Sequence, residues 1–165
     1  MTSQLERIVD AIGTAVSGID GTGVFQTTLG TQDGDPAFYR THRSAGEIFG
    51  DHGESGFPAC AVTTIRQLKQ YPDSQGKGKQ VRAEIGLTWY VHEDASPSLE
   101  EEIHKVMSDC EAAIEVDPTL GREAMTAWVS ETLTQATAEE INYQRGQVVV
   151  SVDFRHQRGD PQTGR

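Results

Sequence analysis

The chain has 165 residues, of which 36% are hydrophobic, and its net charge is −11 at pH 7. This length suffices for one domain with a substantial core, and no apolar run approaches the roughly 20 residues of a membrane-spanning helix. Because nucleic-acid phosphates bind cationic surfaces, the negative charge disfavours a DNA- or RNA-binding role. The first residues include Glu6 and Asp10 and show no basic segment followed by an apolar run, so no signal peptide is expected.

The first predicted element is an amphipathic helix near the N-terminus. Ser3 and Glu6 have the spacing of a capping box, and Gly18 favours the end of the helix. Apolar residues recur between them at helical spacing: Leu5, Ile8, Val9, Ile12 and Val16. A short extended segment, 24–29, is predicted to follow.

Residues 30–56 are polar and rich in glycine, which predicts a long loop. Loops of this length are uncommon in compact domains unless they are functional or disordered. The segment also contains Phe38, Tyr39, Ile48 and Phe49. We therefore expect part of it to pack on a neighbouring molecule or on the domain itself.

Two strands and a hairpin are predicted next. Phe57-Pro58 leads into a strand at 59–68, and the composition of 71–80 is typical of a hairpin tip. The following strand, 81–92, alternates between apolar and more polar positions, which indicates one buried face. Its apolar face consists of Val81, Ala83, Ile85, Leu87, Trp89 and Val91.

An acidic helix is predicted between the strands. Its apolar positions have helical spacing: Leu99, Ile103, Val106, Met107, Cys110 and Ile114. Two starts compete, because Ser96-Pro97 suits a cap and first helical residue whereas Ser98 with Glu101 offers a capping box. Asp117-Pro118 ends the helix, since the residue before a proline avoids helical geometry.

Two further strands complete the pattern. One is predicted at 125–133 and the other, rich in β-branched valines, at 148–155, with a polar hairpin connection at 134–145. Strands joined by hairpins predict an α+β fold with a mostly antiparallel sheet of four or more strands and helices packed on one face. We expect residues 1–165 to form a single domain with a short polar tail at 157–165.

The titratable residues show no catalytic pattern. His42 and the 51–54 segment lack the spacing of a zinc motif, and 76–79 lacks the glycine spacing and hydroxyl of a P-loop. No serine lies in a nucleophile elbow. Cys60 and Cys110 fall in predicted secondary structure, which favours buried free thiols in a reducing compartment. We expect no catalytic, cofactor-binding or metal site and no enzymatic activity.

Charge is unevenly distributed along the chain. Residues 93–117 contain nine acids and one base, Lys105, whereas 145–165 contain four arginines and two aspartates. These segments are either a solvated acidic helix with a basic tail or complementary surfaces that meet head to tail in a ring.

The order and spacing of these elements resemble the tail terminator family of long-tailed bacteriophages, also called minor tail or tail completion proteins. The resemblance covers residues 57–161 and the N-terminal helix. It rests on Phe57-Pro58-Ala59 before the first core strand, the strand at 82–92, the acidic helix ending in Asp117-Pro118-Thr119-Leu120-Gly121, and the closing strand at 148–156 with Arg158-Gly159-Asp160-Pro161. The 30–56 segment departs from the plainer family pattern, which leaves open the surface that it covers.

The resemblance implies a ring-forming subunit, in a hexameric ring that caps the finished tail tube and stops its polymerisation. Its partners would be the tail tube protein and the head–tail connector or neck protein. DNA would pass through the lumen without specific binding, and no cofactor or membrane would take part. The protein would belong to the neck-proximal end of the virion tail, and to the host cytoplasm during assembly.

We expect the contacts between proteins to lie on the two hairpin tips and the 30–56 loop, because these segments are polar and distant from the core pattern. The candidate interface residues are Tyr71, Asp73, Lys77, Lys79, Arg145, Arg155, Arg158 and Phe49. The alternatives are another neck, head-completion or tail tube protein, or a small ligand-binding or enzymatic domain. An enzyme would need a concave pocket with convergent titratable groups.

Overall fold

A computed structural model describes residues 3–72, 78–92, 98–135, 142–157 and 160–164. In chain order the elements are α1 (Gln4–Ser17), β1 (Thr31–Gln32), β2 (Asp35–Pro36), β3 (Phe38–Tyr39), α2 (Ala45–His52), a 3₁₀ turn (Gly53–Gly56), β4 (Ala59–Pro72), β5 (Gly78–His92), α3 (Leu99–Val116), β6 (Thr126–Gln135), β7 (Tyr143–Gln157) and β8 (Asp160–Gly164).

Helix α1 begins at the predicted capping box. The Ser3 hydroxyl accepts a hydrogen bond from the Glu6 N–H at 3.2 Å, and the Glu6 carboxylate accepts one from the Ser3 N–H at 2.7 Å. These bonds satisfy two N–H groups that the start of a helix leaves without partners. Gly18 caps the C-terminal end, as predicted.

Helix α3 begins after Ser98, whose hydroxyl accepts a hydrogen bond from the Glu101 N–H at 3.2 Å. The second of the two predicted starts is therefore the one observed, while Ser96-Pro97 lies outside the described residues. The helix ends at Val116, directly before Asp117-Pro118, as predicted.

The main sheet has the strand order β3-β4-β5-β7-β6, with β8 paired to the end of β7. The pair β3–β4 is parallel, and the other pairs are antiparallel. The predicted α+β class and the mostly antiparallel sheet are confirmed. Residues 160–164, predicted as part of a polar tail, form a strand because β6 starts opposite Asp153 and leaves the last residues of β7 open to β8.

Strand β5 is the centre of the core. Its predicted apolar face, Val81 to Val91, is at most 1% exposed and packs in one cluster with α1 and α3. The opposite face is also buried at Thr88, Tyr90 and His92. This face was predicted to be the polar, solvent-facing one. The prediction is confirmed at Arg82, which is exposed, and is wrong at Thr88, Tyr90 and His92.

Helix α2 explains this burial and corrects the prediction of helices on one face only. Helices α1 and α3 contribute to the large core cluster, whereas α2 packs on the other face of the sheet. There Ala45 and Ile48 of α2 share a second cluster with Tyr39, Phe57 and Tyr90. The protein therefore has helices on both faces of the sheet.

The 30–56 segment is not one long loop. It contains β1, β2, β3 and α2, and α2 begins with a second capping box formed by Ser44 and Glu47. Enough apolar side chains lie in the segment to form the small second cluster, which holds it on the domain. Residues 24–29, which were predicted to be extended, form no β-strand. An isolated β-bridge joins Thr28 to Asp20.

Both cysteines are buried and free, as predicted. Burial raises the pKa of the Cys110 thiol to about 12 and raises that of Cys60 well above its ordinary value. Both thiols therefore remain protonated at neutral pH and are poor nucleophiles.

Candidate protein-interaction surfaces

The two predicted hairpin connections join their strands at opposite ends of the sheet. In the β5–β7 pairing Gly78 lies opposite Gln157, and His92 lies opposite Tyr143. The connection between β4 and β5 precedes Gly78, whereas the connection between β6 and β7 precedes Tyr143. One hairpin therefore extends from each end of the same sheet.

The candidate interface residues divide between these two ends. Tyr71, Lys79 and Arg155 lie at the β4–β5 end, where Gln80 is paired with both Tyr71 and Arg155. Arg145 lies at the opposite end, where it is paired with Tyr90. Asp73, Lys77 and Arg158 fall outside the described residues.

Phe49 belongs to the end that contains Arg145. Phe49 is exposed, and its ring stacks on that of His92 with 5.2 Å between the ring centroids. The ring centroids of Phe57 and His92 are 5.5 Å apart. The Nε of Arg145 is buried with no hydrogen-bond partner among the described residues. Aromatic and arginine side chains are the types enriched in protein interfaces.

The sequences of the two hairpins also differ in charge. Residues 64–84, which include the β4–β5 connection, contain five basic and two acidic residues. Residues 130–145, which include the β6–β7 connection, contain one base and three acids. The two hairpins therefore favour partners of opposite charge.

The structure adds an apolar groove that the sequence analysis did not predict. The groove lies between α1 and the end of α3, has a volume of about 720 Å³, and is lined by small and apolar side chains that include Ala11, Ala15, Phe25, Ala113 and Leu120. Val24 and Val116 also line it and are 66% and 75% exposed. The sequence signal is the run of small residues on one face of α1.

Four charged residues lie around this groove, and each has a described interaction. Arg7 Nε is 3.0 Å from Glu123 Oε2, and Arg40 Nε is 3.2 Å from Asp10 Oδ1. The fourth, Asp117, accepts hydrogen bonds within the turn that follows α3. The groove therefore contains titratable groups, but they are engaged with protein neighbours instead of converging on one point.

A buried carboxylate fixes one wall of the groove. Asp109 on α3 is 1% exposed and accepts hydrogen bonds from the N–H groups of Gln26 and Thr27 and from the Thr27 hydroxyl, at 2.9, 2.7 and 2.7 Å. These bonds hold the segment that carries Val24 and Phe25 against α3.

The turn after α3 is organised by Asp117. Its Oδ1 accepts hydrogen bonds from the Thr119 hydroxyl at 2.6 Å and the Thr119 N–H at 3.0 Å, and its Oδ2 accepts one from the Gly121 N–H at 2.7 Å. The Thr119 hydroxyl and the Gly121 N–H lower the pKa of Asp117 below its ordinary value of 3.8, because these donors favour the charged form. Gly121 has a φ of +67°, which glycine adopts without strain.

This pKa shift predicts a pH dependence of stability. Since the folded-state pKa lies below 3.8, ionised Asp117 stabilises the fold above pH 3.8, and this contribution is lost as the pH falls further through the folded-state pKa. We expect Asp117→Asn to unfold at a lower temperature than the native chain at neutral pH, with the difference shrinking in acid. Thermal unfolding of both chains from neutral pH to about pH 3 measures this. A difference that does not change with pH would contradict the assignment.

No protein-family model matches the chain, and no curated protein matches it either. Within the described residues, no helix is long and apolar enough to span a membrane. The same part of the chain contains no cluster of three or more histidine, cysteine, aspartate or glutamate residues that could hold a metal ion.

Proposed function

We propose that this chain is a tail terminator subunit of a long-tailed bacteriophage, which forms a ring on the end of the tail tube, stops tube polymerisation and offers a docking surface to the head-side connector. The observation that carries the proposal is the pair of chemically different hairpins at opposite ends of one sheet. The family resemblance of the sequence supplies the identity of the partners.

The physical requirement for a terminator matches this arrangement. A tube grows because each ring exposes the same surface to the next ring. A terminator needs one end that fits the tube and another end that does not repeat it. A basic hairpin at one end of the sheet and an acidic, aromatic surface at the other meet this requirement, and the sheet between them holds both in place.

The negative charge of the chain is also compatible with DNA passage. A ring with a net charge of −11 per subunit repels the phosphate backbone, so DNA slides through with little adhesion. This part of the proposal requires an acidic or neutral inner wall. A basic inner wall in a map of the assembled ring would contradict it.

The groove favours a second candidate, a small ligand-binding domain. Its volume of about 720 Å³ is typical of ligand pockets, which measure roughly 300–1,000 Å³. Its charged residues, however, are paired with protein neighbours, and catalytic sites instead gather such groups at one point. The terminator proposal therefore accounts for more of the surface.

Tail length in particles that lack this chain tests the proposal. We expect overlong tails of variable length, because nothing stops the tube from growing. Tails of normal length that fail to join heads would instead identify a connector, and normal virions would rule out both roles.

The β4–β5 hairpin offers a test within the folded protein. Replacing residues 73–78 by Asn-Gly keeps Pro72 opposite Lys79 and closes the hairpin with a two-residue turn. We expect the thermal unfolding midpoint to stay within about 2 °C of the native value, which corresponds to less than about 1 kcal/mol, while virion yield falls and tail length changes. Unchanged virion yield and tail length with this shortened hairpin would show that the basic end makes no essential contact.

A further inference from the structure

Within the described residues, the outer half of β4 forms an edge of the sheet. Strand β3 pairs only with Cys60 and Ala61, so residues 64–72, here called the β4 edge, have β5 on one side and no described strand on the other. Ile65 is 47% exposed, and Leu68 is exposed as well. An edge strand with exposed apolar side chains is a template for association, and charged side chains and bulges keep that association from being non-specific. The β4 edge has Arg66, Lys69 and register shifts before Thr64 and before Lys69, so it favours a specific partner over aggregation.

The α1–α3 groove is an uncovered apolar surface elsewhere on the same chain. None of its lining residues belongs to β4 or β5. The β4 edge of a chain therefore does not fill the groove of that chain. Contact between the two surfaces requires two copies.

The charges of the two surfaces are opposite. The β4 edge contains Arg66 and Lys69 and no acid. Helix α3 beside the groove contains Glu111 and Glu115 and is followed by Asp117, while its one lysine, Lys105, lies 3.1 Å from Glu101. Opposite charges around an apolar centre favour association and fix its orientation.

We infer that the β4 edge of one copy docks into the α1–α3 groove of the next, an inference that rests on the proposed ring. Ile65 and Leu68 supply the apolar contact, and the exposed Arg66 of the same edge is attracted by the acids of α3. Because the two surfaces differ, the contact is head to tail, and repeated contacts of this kind close into a ring when the rotation between copies divides a full turn.

The edge strand at the opposite side of the sheet, β6, fits the groove less well. Strand β6 carries Glu131 and no base, so it would place like charge against α3. Leu133 on β6 is nevertheless 46% exposed, which is close to the 47% exposure of Ile65. Leu133 is therefore a matched control for Ile65 in size, exposure and position on an edge strand.

Three single variants test the contact. Ile65→Asp changes the β4 edge, Val116→Asp changes the groove, and Leu133→Asp is the control. All three side chains are exposed, so we expect the thermal unfolding midpoints to stay near the native value. In light scattering and electron microscopy of the purified full chain, or of the chain on tail tubes, we expect the first two variants to lose the ring and Leu133→Asp to keep it.

A disulfide experiment tests which surfaces touch. A mixture of Ile65→Cys and Val116→Cys chains, distinguished by mass, is expected to form a mixed disulfide dimer under mild oxidation. A mixture of Leu133→Cys and Val116→Cys chains is expected to form at least tenfold less mixed disulfide dimer. The native thiols of Cys60 and Cys110 are buried and do not compete. Equal yields from the two mixtures, or no mixed dimer from the first, would overturn the inference.

The outcomes separate this inference from the proposed function. If the native chain forms rings and Ile65→Asp and Val116→Asp also form them, the inference fails and the terminator proposal stands. If Leu133→Asp alone loses the ring, the subunits meet through the β6 edge, and the inference likewise fails. If the native chain stays monomeric at high concentration and on tail tubes and gives no mixed disulfide, both fail.

Discussion

Replacing Trp89 by alanine is expected to lower the free energy of unfolding by about 3–5 kcal/mol. Trp89 is 1% exposed and lies near the C-terminal end of β5, between Cys60 of β4 and Gly146 of β7. The packing above it is tight, because a Cβ built on Gly146 would lie 2.7 Å from the sulfur of Met107 on α3. The surrounding structure cannot collapse into the space of the missing indole, so a cavity remains.

Denaturant unfolding of Trp89→Ala against the native chain measures this effect. Trp128→Ala is the control, because Trp128 lies on the edge strand β6, is only partly buried, and stacks under the Arg82 guanidinium at 5.2 Å from the ring centroid. We expect Trp128→Ala to lower the free energy of unfolding by less than half as much as Trp89→Ala does. A loss below about 1 kcal/mol for Trp89→Ala would show that Trp89 is not a core residue.

The Asp109→Ala variant is expected to lower the free energy of unfolding by about 3–5 kcal/mol, because removing this side chain leaves several buried hydrogen-bond donors without partners. The donors in question are the N–H groups of Gln26 and Thr27 and the Thr27 hydroxyl. The variant should also loosen the wall of the α1–α3 groove and reduce ring formation.

Glu111→Ala provides the matched control on the same helix. Glu111 is exposed, and we expect its removal to change the free energy of unfolding by no more than about 0.5 kcal/mol. Hydrogen exchange at the amides of Gln26 and Thr27 gives a second readout and should speed up in Asp109→Ala. Similar stabilities for the two variants would contradict the assigned role of Asp109.

The elements predicted best are those whose signals are local. The capping residues of α1 and α3 and the alternation along β5 each involve neighbours within a few positions, where the backbone period alone sets the pattern. Helix α2 has an equally local signal in Ser44 and Glu47, but the glycine-rich composition around it favoured a loop. Tyr90 and His92 were expected on a polar face because α2, which buries them, was not predicted.

The surfaces could be predicted only in part. Composition predicted the two connections, but the predicted tip at 71–80 is too long, because β4 runs to Pro72 and β5 begins at Gly78. That the connections lie at opposite ends of the sheet depends on the register of β5 with β7, which joins residues such as His92 and Tyr143. The groove brings α1 together with residues around Val116 and Leu120, about a hundred positions further along the chain. No periodicity within either segment specifies such a long-range contact.

Electron microscopy of growing tail tubes tests the proposed function most directly, with the purified chain added to polymerising tail tube protein. The proposal predicts a closed ring on one end of each tube, and tubes that stop growing once the ring is bound. A chain that remains monomeric and leaves tube growth unchanged, or that binds along the sides of the tubes, would contradict the proposed function.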